Sequence, residues 1–348
     1  MSSLLYYPFI SIPKTNWLSQ ALLYWDGIAT IVPNAELRRQ TNITPFARSL
    51  IRNDIIQTVS PEEYAYARPD CYIEFLQWVE QNRTSFLIDR YTPLQRVHSA
   101  KLDSMSIGKL GFLGEEFVEM GVAKRSDSCW YVMRSDLSMY YMTFLAILIG
   151  QETGRIPATD RYKGISHLVG INESGHGHDF EITKAMFRDA ILSELLPVPC
   201  GVEDYQSLAR FKDKYHDELL SFRKDIESFL ISLSPYGSEE QRELCQLFIE
   251  KANDQVEEIK GKMHAFKFPE VNLGTVIAAL PVIECVKENS MIGAGIGIAS
   301  VILQMIFNPS KQENRNKPFA YAALYDGRRR SHPEIINNNR LNSSYNVI

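Results

Sequence analysis

The sequence predicts an α/β N-terminal part followed by a mostly α-helical C-terminal part containing a long antiparallel helical hairpin. Three observations carry that reading. Residues 1–200 alternate short β-branched or aromatic runs with helical stretches, the signature of an α/β domain. Residues 205–268 switch to apolar side chains at spacings of three and four, set among Lys, Asp, Glu and Arg. Residues 271–307 then lose almost all charge and gain glycine.

In the first part, Leu4 to Ile10, Ile28 to Val32, Ser85 to Ile88, Cys129 to Met133 and Gly164 to Val169 are short runs. Pro, Gly, Asp or Asn bound them, as strands require. Helices fill the gaps. Asn16 is placed to cap one through Trp17, Leu18, Ala21, Leu22 and Trp25. Ser60, Pro61, Glu62 and Glu63 supply an N-cap, a first-turn proline and first-turn acids for another through Trp78. Ser138 to Gly150 is nearly all apolar, as in a helix covered on several sides, with Gly150 and Gly154 as stops.

The charged region opens with Leu208, Phe211, Tyr215, Leu219, Phe222, Ile226, Phe229 and Leu233, the apolar stripe of one long helix. Ser234, Pro235, Tyr236 and Gly237 end it. Ser238-Glu-Glu-Gln241 has capping-box spacing for a second helix through Leu244, Phe248, Ala252, Val256, Ile259, Met263 and Phe266. The pair is expected to present an apolar seam that another layer or a second subunit must cover. Domain organisation is thus read as 1–200, 205–268 and an apolar helical segment 271–307. A short helix follows at 308–330 and a disordered, Asn-rich tail at 331–348.

Composition bounds the partners. With 37 basic and 42 acidic residues the net charge is −5, so no global field favours nucleic acid. Five scattered cysteines without C-x-x-C spacing suit free thiols in a reducing compartment. The opening MSSLLYYPFISIP lacks the basic n-region of a signal peptide, and the expected location is cytoplasmic, with membrane association through 271–307 as the alternative. Met291 to Phe307 contains only Ser300 and Gln304 as polar residues, yet seventeen helical residues reach roughly 25 Å against a hydrocarbon core of roughly 30 Å. Gly293 and Gly297 form a G-x-x-x-G face suited to close helix packing, in a soluble core or in lipid. A hairpin of Leu273 to Val286 and Met291 to Phe307 about a Lys287–Ser290 turn would allow triggered membrane insertion.

The block Leu5-Tyr-Tyr-Pro8, then Trp17, then Ala21-Leu-Leu-Tyr-Trp-Asp26 with Ile28 and Ile31-Val-Pro33 resembles the opening of a prokaryotic family classed only as a domain of unknown function. Tyr141-Met142, Leu145-Ala146 and Thr159-Asp160 are similar to its middle helix and following turn. Leu196-Pro-Val-Pro199 with Phe211-Lys and Phe222-Arg223 is similar to its passage into the helical part. The resemblance implies this architecture over most of the chain, and a setting among mobile-element and phage-defence genes. It implies no activity.

Two side-chain sets could carry chemistry. His176, His178 and Asp179 form the densest run of metal-ligand types, with His167 as a third imidazole. The spacing departs from the metallo-β-lactamase-like loop because Phe180 follows Asp179 and no further His does, so a glycine-containing loop with Asp179 capping the helix Phe180 to Leu195 is the simpler reading. Asp26, Asp89 and Asp160 each follow an apolar segment, the arrangement by which two-metal nucleases hold Mg²⁺. Yet Leu4 to Ile10 carries no acid, and isolated aspartates at element ends usually cap or turn. Gly293-Ala-Gly295-Ile-Gly297 matches neither phosphate-loop pattern. No cofactor is evident beyond a divalent metal at one of those sets. The expectation is an interaction or effector component acting through self-association and protein partners, with a metal-dependent hydrolase or nuclease and a membrane-inserting effector as alternatives.

Overall fold

A computed structural model describes residues 3–64, 69–89, 91–102, 112–160, 184, 187–188, 191–268 and 270–273. Its centre is a parallel sheet of β1 (Leu4–Tyr6), β2 (Ile28–Ile31), β3 (Gln57–Val59) and β7 (Ile156–Ala158), in the order β3-β2-β1-β7. Helix α1 (Asn16–Tyr24) links β1 to β2, and α2 (Asn34–Arg39) and α3 (Pro45–Arg52) link β2 to β3. Every residue of β1 and β2 is buried, as expected of parallel strands covered on both faces.

Alternation splits the sheet between two cores. Leu5, Tyr7, Ala29, Ile31 and Val59 face one of them, with α4 (Pro69–Gln81), α5 (Arg83–Phe86), α7 (Leu113–Glu119) and α8 (Ser135–Thr153). Leu4, Tyr6, Ile28 and Ala158 face the other, with α1 and the charged helices beyond residue 204. Over the first core lies a small antiparallel sheet in the order β4-β6-β5, from β4 (Leu94–His98), β5 (Ala123–Asp127) and β6 (Trp130–Arg134). The turn α6 (Ser99–Leu102) follows β4 directly. Helix α8 is buried along most of its length and ends at Gly154, whose φ of 64° closes the helix in the left-handed conformation.

Beyond β8 (Pro197–Cys200) come α9 (Tyr205–Lys214), α10 (His216–Ser232) and α11 (Ser238–Ala265), then β9 (Glu270–Leu273), which pairs antiparallel with β8. Phe229 of α10 and Phe248 of α11 stack at 4.2 Å, joining the two helices.

Several sequence expectations are corrected here. β1 stops at Tyr6 rather than Ile10. Thr15, not Asn16, occupies the N-cap of α1, and Asn16 instead donates to Cys200 Sγ at 3.2 Å. Directly after Ser60 the chain makes a 3-10 turn (Pro61–Glu63) rather than an α-helix, and the described α-helix spans Pro69–Gln81. Ser85 to Ile88 is not a strand: Asn82 bonds back to the Trp78 carbonyl and starts α5, because Phe86 packs under Trp78 and Tyr140. The helix expected through Leu233 breaks at Tyr215, whose ring joins Phe211 and Phe266 in an aromatic cluster. The cap of α11 is Gly237, its N–H donating to Glu240 Oε2 at 3.0 Å; Gln241 turns its amide to the Leu233 and Tyr236 carbonyls instead. Residues 271–273 are strand rather than the start of an apolar helix. The rest of 271–307, the elements 308–330 and 331–348, and Gly164 to Val169 lie outside the described residues.

Candidate functional site

In an open parallel sheet ligands bind outside the carboxyl ends of the strands, so the groups gathered there are the natural candidates. At the end of β2, Glu36 is buried in the first turn of α2. Its Oε1 accepts from Asn42 Nδ2 at 2.8 Å, and its Oε2 accepts from Thr41 Oγ1 and the Asn42 N–H, both at 3.2 Å. His98 Nε2 stands 3.6 Å from Glu36 Oε1, both side chains buried. The Ala100 N–H donates to His98 Nδ1 at 3.1 Å, which assigns the neutral ring's proton to Nε2, on the Glu36 side. Trp130 meets the imidazole edge-on at 4.8 Å.

Lys101, on α6, is fully buried and donates to the Pro8 carbonyl at 3.3 Å, just beyond the end of β1. Tyr141 of α8 donates to the Lys101 carbonyl. At the end of β3, Glu62 accepts from Ser60 Oγ at 2.5 Å and from the Asn34 N–H at 3.0 Å. Burial pushes the Lys101 amine down to about 7, with the Glu62 charge opposing. Burial also lowers the His98 imidazole; Glu36 opposes that shift and Lys101 adds to it. Three segments distant in sequence therefore bring an amine, an imidazole and two carboxylates to one sheet edge, with Glu36, His98 and Lys101 buried there.

The opposite edge carries a second set. Arg223 of α10 donates from Nη1 to the Tyr24 carbonyl at 2.6 Å and to Asp26 Oδ1 at 2.8 Å. Lys212 of α9 reaches the Trp25 carbonyl at 2.5 Å and the Asp26 carbonyl at 3.2 Å. These are the orphan carbonyls at the C-terminus of α1, where cations are favoured by both hydrogen bonding and the helix dipole. Burial works to raise the Asp26 carboxyl, but the bonded Arg223 guanidinium holds it below its usual range. Burial pushes Lys212 down to about 8, with Arg223 adding to the shift. Beside them Arg188 pairs with Glu227 at 2.6 Å, and Tyr24 Oη donates to the same carboxylate at 3.1 Å. This set joins the charged helices to α1.

Neither a protein-family model, nor a curated protein, nor a solved structure matches the chain. The geometry alone assigns the candidates. Asp26 precedes β2 at the amino edge, whereas Asp160 follows β7 at the carboxyl edge and accepts from Tyr6 Oη at 2.8 Å. Six register positions separate them, about 20 Å along the strands, so they do not share a metal pair that needs its ions roughly 4 Å apart. Asp89 forms an exposed turn, accepting from the Tyr91 N–H at 2.8 Å and Thr92 Oγ1 at 2.6 Å; these bonds hold its carboxyl low. The three aspartates are not brought together. His176, His178, Asp179, Gly293 and Gly297 lie outside the described residues. Among the described residues no group of three or more His, Cys, Asp or Glu could hold a metal ion, and no helix is long and apolar enough to cross a membrane. Sequence reasoning missed Glu36, His98 and Lys101, and read Glu62 only as a first-turn acid; no motif spacing links them.

Proposed function

We propose that this chain is an interaction component that self-associates through the turn end of α10 and α11, arranged as an antiparallel hairpin. The observation that carries this is the exposure of three large apolar side chains there: Ile231 at 60%, Leu247 at 50% and Tyr236 at 45%. Ile231 lies within the last turn of α10, Tyr236 lies in the connection, and Leu247 lies nine residues into α11, within roughly 14 Å of the turn along the axis. By helical phase, Ile231 stands about 140° from the buried Ile226 and Leu247 about 160° from the buried Cys245, so neither serves the chain's own core. Apolar side chains this exposed favour a surface that removes them from water. The resemblance of the opening block adds a setting among mobile-element and phage-defence genes, in which such an interaction component would act.

Light scattering on the purified full chain tests the reading. The expected mass is a multiple of one chain, and Ile231→Glu with Leu247→Glu returns it to one chain with an unchanged far-ultraviolet circular dichroism spectrum. A wild-type mass of one chain, or an assembly indifferent to both charges, refutes it.

A further inference from the structure

The turn α6 closes over the end of β1, anchored in the apolar core by the buried Leu102 and carrying the buried, titrating Lys101 beside it. Lys101 faces the Pro8 carbonyl and the Glu62 charge; His98 faces Glu36 from α2, Lys101 from α6, Glu62 from the 3-10 turn and Asp127 from β5. Arg96 lies over the Trp130 ring that His98 meets, 4.9 Å from its centroid, and pairs with Asp127 at 2.8 Å. A buried amine held by one neutral carbonyl is tolerated uncharged and costly charged, because desolvation penalises the ammonium and a carbonyl repays little of it.

We propose that α6, with the Glu36, His98, Lys101 and Glu62 side chains beneath it, is a proton-operated latch over the carboxyl edge of the parallel sheet. It is closed when Lys101 is neutral and loosens as Lys101 and then His98 take up protons. The covered edge is where ligands of α/β sheets sit, so loosening the latch uncovers the ends of β1 and β3. The sign follows from the direction of each shift. Both bases bind protons more weakly in the closed form than in the open one. For Lys101 the closed form gains on the open one as pH rises from about 7 towards 10.5, and the advantage is fully lost below about 7. For His98 a further loss sets in as pH falls below 6.5.

Native-state hydrogen exchange of the full chain at pH 7 and pH 9, corrected for intrinsic rates, reads the opening directly. The amides of 98–102 are expected to exchange by local opening, with less protection than those of α1 at pH 7, and to gain about 50-fold at pH 9. In Lys101→Met the gain disappears. Equal protection at both pH values in the wild type, protection of 98–102 equal to that of α1 at pH 7, or a gain that survives in Lys101→Met each overturns the latch. The wild-type comparison decides the matter even where the variant fails to fold.

Discussion

Lys101 is the residue whose chemistry departs furthest from its surroundings, because no carboxylate bonds to its amine among the described residues. Its amine is depressed to about 7 in the fold and stands near 10.5 when unfolded, so the unfolded chain binds the proton more tightly throughout that window. The fold therefore carries a penalty that is fully present below pH 7 and disappears as the pH approaches 10.5. Lys101→Met, of similar volume and without the charge, is expected to raise the unfolding free energy by about 2–4 kcal/mol at pH 7. The gain should fall to near zero by pH 10, read as the difference in urea midpoints between variant and wild type at each pH. Arg223 shows the opposite case, a buried cation with good partners. Arg223→Met strips the Tyr24 carbonyl and Asp26 of their donor, and a loss of about 2–4 kcal/mol is expected in the same urea assay. Asp26→Asn should cost less, about 1 kcal/mol, since a third of that carboxylate is exposed.

At the scale of elements, α8 depends on two glycines that do different work. A Cβ on Gly150 would stand 2.7 Å from the Arg155 carbonyl and 3.2 Å from the Pro157 ring, so α8 and β7 could not keep their separation. Gly150→Ala should cost about 1–3 kcal/mol through this overpacking, whereas Gly154→Ala should cost about 1 kcal/mol through its positive φ alone. Thermal unfolding of the two variants separates the sizes. These glycines were legible in the sequence as ends of an apolar helix, as were α1, β2 and the stripes of α9, α10 and α11. Strong periodicity over nine residues or more survives tertiary packing. The strands β3 (Gln-Thr-Val) and β7 (Ile-Pro-Ala) were not legible, because neither sits in a longer apolar or aromatic run as β1 does, and β5 is an exposed charged edge. The break at Tyr215 was hidden because its ring keeps the apolar spacing while leaving the helix for Phe211 and Phe266. The sheet-edge cluster was illegible for a different reason. Glu36, Glu62, His98 and Lys101 meet only after the strands are ordered β3-β2-β1, which no local spacing encodes.

For the whole molecule the deciding feature is that one apolar core runs through both compositional halves. Leu4, Tyr6 and Ile28 of the sheet, Leu18 and Leu22 of α1, and Leu219, Ile226, Val256 and Met263 of the charged helices are buried together. β8 and β9 pair across the same divide, and Arg223 and Lys212 complete the carbonyl end of α1. Residues after 204 therefore supply part of the cover on α1. A chain ending at Asp204 would expose Leu18, Leu22 and Trp25 together and leave the end of α1 uncapped, a loss comparable to the whole marginal stability of about 5–15 kcal/mol. That fragment should show no cooperative urea transition. The full chain should unfold in one step, with tryptophan fluorescence and far-ultraviolet circular dichroism giving the same midpoint, since Trp17 and Trp25 sit in the shared core and Trp78 and Trp130 across the sheet. Two separated midpoints, or a fragment that folds cooperatively by itself, would show instead that the α/β layer is complete without the helices packed on α1.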